Sequence, residues 1–331
     1  MKYTPSSDFR RFSDAEAHTR LEASKQWSIT TLFGQRLVCA DRKDMARHIV
    51  ERVSVHNRST INFINAHCIN IQRDDQEYRK ALSESDLLLP DGVGIEVASA
   101  MCGVHIGDNL NGTDLYPELC REAEEQGVSL FLLGGVPDAA AGAACWATNN
   151  FSELRIAGTH SGFFNADEED ALIEQINQSC AGILLVGMGV PLQEKWIARN
   201  RHRLNVSVVM GVGGLFDYYS GRIPRAPQLV RACKAEWMWR LAMEPRRMAM
   251  RYTWGNATFL AHAALEAARQ SNIGETLNSA GKRVLDVAGA SLAILALLPI
   301  FLATALAIRL EDKGPVLFRQ TRIGEGEVFL R

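Results

Sequence analysis

Short apolar runs, several bounded by glycine, alternate with amphipathic stretches over residues 60 to 214. The runs are TINFINAHCINI, VSLFLLGG, LRIAGTHSGFF, GILLVGMG and VSVVMGVGG; the stretches between them include DLYPELCREAEEQG, DAAAGAACWATNN and DEEDALIEQINQSC. Strand-length runs followed repeatedly by helix-length amphipathic ones predict an α/β fold, with a mostly parallel sheet and helices on both faces. The last stretch carries a helix start signal. Asn165 or Asp167 can cap it, and acidic residues fill its first turn.

After Gly221 the strand signals stop. Residues 222–270 read as a basic helical appendage, interrupted at Pro224, Pro227 and Pro245. Residues 271–281 read as a small polar linker, and 282–331 as a membrane-associated end. Within that end, Val284 to Leu310 is almost unbroken apolar sequence flanked by Lys282, Arg283 and Arg309. At about 1.5 Å per residue it is long enough to cross a hydrocarbon core of ~30 Å. Pro299 in its middle makes a re-entrant hairpin the alternative to a span, and a buried core helix is a third reading. Residues 1–27 read as a flexible leader without the apolar core of a signal peptide, so the chain is expected to start in the cytoplasm, and 28–221 as the sheet domain.

A chain of 331 residues, 47% hydrophobic, can bury one large domain and a smaller attachment. Its net charge of -2 argues against a general nucleic-acid binder, since the basic excess is confined to the appendage. Seven scattered cysteines form no CxxC pair and read as reduced thiols of a cytoplasmic compartment.

Chemistry concentrates where apolar runs end. Asp91 in LLLPDGVGIEVAS stands at a strand end beside Gly92 and Gly94, placed to act as a general base or to hold a sugar hydroxyl. A turn aspartate capping the next helix is the plain alternative. Asn65 and His67 end another run, where a ligand contact competes with ordinary burial. GMGVPLQEKW sets Gly187 and Gly189 in a turn, with Gln193 and Glu194 in the first turn of the next helix, whose N-terminus suits a diphosphate or ribose. GVGGLFD repeats the device with Gly211, Gly213 and Gly214, and Asp217 is placed to meet a uridine or sugar hydroxyl; two tight turns are the alternative. The spacing is not GxGxxG, which weakens a dinucleotide reading. Arg225, Arg240 and Arg247, interleaved with Trp237, Trp239, Met243 and Met248, form a basic and aromatic surface suited to anionic lipid. No DxD motif or His/Asp cluster calls for a metal, and no cofactor is expected.

PDGVGIEVAS, NGTDLYPELC, LFLLGG, AGTHSGFF, VGMGVPLQEKW, GVGGLFDYYSGRIPRAP and EWMWRLAMEPRRMAMRY occur in this order over about residues 28 to 254. Together they resemble the WecG/TagA/CpsF family, glycosyltransferase family 26, which adds N-acetylmannosamine or related sugars to undecaprenyl-diphosphate-linked acceptors at the cytoplasmic membrane face. The resemblance implies a Rossmann-like core that binds a UDP-sugar, and an appendage that closes the site at the membrane. It implies Asp91 as catalytic base, with Asn65, Gln193 and Glu194 falling on the family's motifs; these three join Gly92, Gly187, Gly189, Gly213, Gly214 and Asp217, read above from the strand ends, as the expected substrate-binding set. Arg225, Arg240 and Arg247 would hold the lipid diphosphate. Phe63 departs from the threonine that many members carry two residues before the asparagine.

Residues 282 to 327 resemble the opening of a bacterial sugar transferase, the polyprenyl-phosphate glycosyl-1-phosphate transferases. The chain ends at Arg331, before that family's acidic catalytic residues, and a shortened fusion is expected. The main expectation is an inverting, membrane-associated glycosyltransferase of exopolysaccharide or cell-envelope glycan synthesis at the inner membrane's cytoplasmic face, with homo-oligomerisation open. A fusion whose main activity lies in the second family, and a non-catalytic scaffold for lipid-linked sugars, are the alternatives.

Overall fold

The computed structural model describes residues 27–270 apart from 56, 57, 233, 234 and 253, and beyond them only 287, 322–323 and 329–330. The chain divides into two compact units, 1–271 and 272–331. In the second, strands β9 (Arg322–Ile323) and β10 (Phe329–Leu330) pair antiparallel. Among the described residues, no helix is long and apolar enough to cross a membrane. The expected leader, the polar linker and nearly all of the apolar stretch Val284 to Leu310 lie outside the described residues.

The first unit is built on eight strands: β1 (Ser28–Leu32), β2 (Gln35–Cys39), β3 (Ser59–Ile64), β4 (Leu87–Pro90), β5 (Leu130–Gly134), β6 (Ile156–His160), β7 (Ile183–Gly187) and β8 (Val208–Gly211). Their order is β1-β2-β4-β3-β8-β7-β5-β6. All pairings are parallel except β1 with β2. That edge hairpin, absent from the runs read in the sequence, turns at Phe33 and Gly34, both with positive φ, as tight hairpins require. Every residue of β5 and β7 is buried, which explains their continuous apolar character.

The run Thr60 to Ile71 is strand only as far as Ile64. Asn65 ends it by capping helix α2 (Ala66–Asp74), its side-chain oxygen accepting from the amides of His67 and Cys68. Helix α1 (Arg42–Ser54) precedes it, and α3 (Gln76–Ser83), α4 (Val93–Met101), α5 (Gly112–Glu125) and α6 (Ala139–Asn150) follow. Helix α7 (Ala166–Gln178) takes Asn165, the first of the two expected caps, and Glu168 closes a capping box with it. Helices α8 (Leu192–Asn200) and α9 (Leu215–Tyr219) complete the sheet layers.

The segment read as an appendage forms α10 (Gln228–Ala232), α11 (Glu236–Met243), α12 (Pro245–Tyr252) and α13 (Trp254–Gln270). It is more closely joined to the sheet than the sequence implied. Phe259 and Ala263 of α13 are buried in one cluster with Ile64, Cys68, Ile69, Ile95 and Ala98. The Asn70 side chain donates to the Gly255 carbonyl at 2.7 Å. Gly94 sits close against α2 and α13: a Cβ there would stand 3.0 Å from the Ala66 Cβ and 3.4 Å from the Phe259 ring.

The sheet halves meet where β3 pairs with β8. Strands β1 to β4 lie on one side of that junction and β5 to β8 on the other, so the chain reverses direction there. In open α/β sheets the crevice beyond the strands' carboxyl ends at such a point is where ligands bind. Asn65, Asp91, Gly187 and Gly211 all end strands next to it.

Candidate active site

Asp91 leaves β4 with its amide bonded to the Ile64 carbonyl at 2.9 Å, which sets it beside Asn65. Its Oδ2 accepts from the Asn65 side-chain nitrogen at 3.0 Å. The capping bonds from His67 and Cys68 fix the Asn65 oxygen, so the nitrogen has to face Asp91. Gly92 turns at φ 86, and its amide donates to Asn109 Oδ1 at 3.0 Å. Asp91 is half-buried, and this burial pushes its carboxyl above the ordinary value. The bond from Asn65 and the charges of Arg251 and Arg240 work against that, and Asp114 works with it. The outcome is a carboxylate held more basic than a surface aspartate, with cations facing it. Burial and Arg251 push neighbouring His67 down to about 4, leaving it neutral at pH 7.

Arg240 lies over the Tyr218 ring at 5.4 Å and stands 3.9 Å from Glu244. One of its terminal nitrogens fills the space a Cβ on Gly214 would occupy. Its Nε is buried with no hydrogen-bond partner among the described residues. Arg225 pairs with Asp114 and stands 4.0 Å from Glu236. Asp114 also meets Arg42 at 3.6 Å and accepts from Asn111 at 3.0 Å. Burial would raise the Asp114 carboxyl, but Asn111, Arg225 and Arg42 together hold it below its ordinary value. Arg225 therefore ties the segment before α10 to the start of α5. Arg247 lies in α12, but its side chain is outside the described residues.

The glycine loops do less with their amides than the sequence implied. Gly189 and Gly213, at φ 83 and 59, both donate to Gln193 Oε1, at 3.2 and 2.8 Å. Together with Gly92, three glycines of the expected substrate-binding set thus have their amides held by protein side chains. Gly187 serves close packing instead: its carbonyl accepts from Gly135 at 2.8 Å, and a Cβ on Gly134 would strike its backbone at 2.5 Å. Gln193 and Glu194 lie in the first turn of α8 as expected, yet both are buried. Asp217 stands 3.8 Å from Arg222, and its carbonyl accepts from Ile223 at 3.0 Å. Phe63 is buried against Gly112, beside a cavity about the size of one water. Among the described residues no group of three His, Cys, Asp or Glu side chains is arranged to hold a metal.

The structure thus gathers Asp91, Asn65 and Arg240, and adds Arg251, Asp114, Glu236 and Tyr218, which the sequence reading had not placed in the site. A signal for Arg251 was present, since it follows Arg247 by one helical turn. Asp114 had a weaker one, as the first acidic residue of a helix opened by Asn111.

Residues 30–273 match the glycosyl transferase WecG/TagA/CpsF family, and 277–330 match the bacterial sugar transferase family. The first match runs past residue 254 and takes in the whole of α13. Two similar proteins carry the name N-acetylglucosaminyldiphosphoundecaprenol N-acetyl-beta-D-mannosaminyltransferase. The one from Bacillus subtilis (strain 168) is 31% identical over 173 residues, 52% of this chain and 67% of that protein. The one from Bacillus spizizenii is 32% identical over 170 residues, 51% of this chain and 65% of that protein. The match over most of the chain, on the elements that build the crevice, makes this protein a member of the WecG/TagA/CpsF glycosyltransferase family, joined to a bacterial sugar transferase segment.

Proposed function

We propose that this chain is an inverting glycosyltransferase. It moves an N-acetylmannosamine-like sugar from a UDP-sugar to an undecaprenyl-diphosphate-linked acceptor in exopolysaccharide or cell-envelope glycan synthesis. The observation that carries the reading is Asp91: half-buried, aimed by Asn65, held more basic than usual and faced by Arg240 and Arg251. Asp91 takes the proton of the acceptor hydroxyl as that oxygen attacks the anomeric carbon. The bond from that carbon to the diphosphate oxygen breaks, and UDP leaves with the electron pair. Arg240, one of the two cations whose charges act on the Asp91 carboxylate, answers the growing diphosphate charge. Asn65, Gly92, Gly187, Gly189, Gln193, Glu194, Gly213, Gly214 and Asp217 shape the donor floor, the buried members by setting its loops.

The reaction belongs at the cytoplasmic face of the inner membrane. Met243 and Met250 on the arginine-bearing helices α11 and α12, and Trp254 at the start of α13, are exposed at 44%, 72% and 70%, and this pairing of apolar and basic groups suits a lipid boundary. Arg225, Arg240 and Arg247 are assigned to the lipid diphosphate. The match at 277–330 favours a second reading in which the chain works as a two-part enzyme with glycosyl-1-phosphate transfer in its second unit. Release of UDP by the chain with a lipid-diphosphate acceptor, across a panel of UDP-sugars, tests the first reading; transfer of a sugar phosphate to polyprenyl phosphate tests the second.

A further inference from the structure

Gln193 and Glu194 are polar residues in the first turn of a helix, yet they are only 2% and 1% exposed. One oxygen of Gln193 accepts from Gly213 at 2.8 Å and from Gly189 at 3.2 Å, so a single carboxamide joins the loops that follow β8 and β7. Two amide donors on that oxygen settle the orientation of the group. Its nitrogen points the other way and donates to Glu194 Oε1 at 2.8 Å. The other Glu194 oxygen is buried with no hydrogen-bond partner among the described residues.

Cys68 of α2 and Tyr78 of α3, both fully buried, face the Glu194 carboxyl. Asp91 acts on that same thiol and Arg251 on that same phenol, from the site side. Lys195, the next residue on α8, turns away to Asp75 and Glu77, at 2.7 and 3.0 Å. None of the groups that shift the Glu194 acid is a cation, and burial lifts it to about 7. A buried carboxylate with a bare oxygen and no cation is costly, whereas the neutral acid accepts the Gln193 bond equally well.

We propose that Glu194 is a positioning residue: it fixes the Gln193 carboxamide and, through it, the spacing of the two glycine loops that floor the donor site. This deepens the glycosyltransferase reading and rests on it for the ligand, not for the geometry. Neither residue needs to touch the sugar nucleotide. Misplacing a reacting group by about 1 Å costs on the order of 100-fold in rate, which is the penalty expected when the strut is cut.

Hydrogen–deuterium exchange of the full chain in detergent, followed on peptides from 187 to 195 and from 211 to 216, tests the proposal together with UDP release. Glu194→Ala and Gln193→Ala are expected to speed exchange in both loops about tenfold and to leave β5 unchanged. Glu194→Gln, neutral and of the same shape, is expected to keep slow exchange and to recover most of the turnover that Glu194→Ala loses. Glu194→Asp, one methylene short, is expected to recover neither. Wild-type exchange in both loops of a folded Glu194→Ala protein overturns the proposal. So does Glu194→Gln exchanging as fast as Glu194→Asp, a comparison that decides the matter where the alanine variant does not fold. A wild-type chain that releases no UDP counts against the transferase reading alone, and the exchange comparison still stands.

Discussion

Asp91, half-buried, and Glu194, fully buried, are two acids whose environments separate their work. Asp91 faces cations and has to lose its proton to act, so kcat/KM is expected to fall as pH falls through its raised pKa. The acid limb therefore lies above the ordinary aspartate value of about 3.9. Arg240→Met removes a charge that pulls that pKa down and is expected to move the limb to higher pH; a limb that stays in place contradicts the electrostatic assignment. Glu194 has no such cation, and its folded value of about 7 stands above the ordinary 4.5. As pH rises from about 4.5 the unfolded chain gives up this proton first, so stability is lost up to about 7 and levels off beyond. Unfolding free energies from urea titrations across that range are expected to fall for wild type by an amount on the order of 3 kcal/mol more than for Glu194→Gln. Equal pH slopes in the two proteins contradict it. Asp91 was legible in the sequence because an acid between an apolar run and glycines is an unusual strand end. The inward turn of Gln193 was not: its partners Gly189 and Gly213 are brought together only when β7 and β8 pair, and no local pattern records that.

At the scale of elements, most strands and helices were legible because each apolar run had to be buried and each amphipathic stretch had to cover it. The β1–β2 hairpin was missed because its alternation is short and its turn is Phe33-Gly34 rather than a strongly marked pair. The docking of α13 was missed for a different reason. Helical spacing shows that one face is apolar but does not name what that face meets, and here it meets α2 and α4 through Phe259 and Ala263. Phe259→Ala is expected to destabilise the first unit by roughly 3 to 5 kcal/mol, the usual cost of emptying a buried aromatic site, read as a lowered unfolding midpoint. An effect under about 1 kcal/mol would mean that α13 is not part of the core.

For the whole molecule, the segment that follows Gly221 and carries Arg225 and Arg240 is anchored in the core by Phe259 and Ala263 of α13, while Met250 of α12 and Trp254 at the start of α13 are exposed. Co-sedimentation with vesicles tests this surface apart from the segment at 284–310. Met250→Glu with Trp254→Glu is expected to reduce binding to anionic vesicles several-fold in a protein ending at residue 271, the limit of the first unit, and to leave its unfolding midpoint unchanged. Unchanged vesicle binding would remove the helices from the membrane contact. The central claim is that Asp91 takes the acceptor proton during sugar transfer, and UDP release by the full chain measures it. With N-acetylglucosaminyl-diphospho-lipid as acceptor and UDP-N-acetylmannosamine among the donors, wild type is expected to turn over. Asp91→Asn, folded to the same midpoint, is expected to be slower by about 100-fold or more. Near-normal UDP release by Asp91→Asn would contradict the assignment of Asp91 as the base.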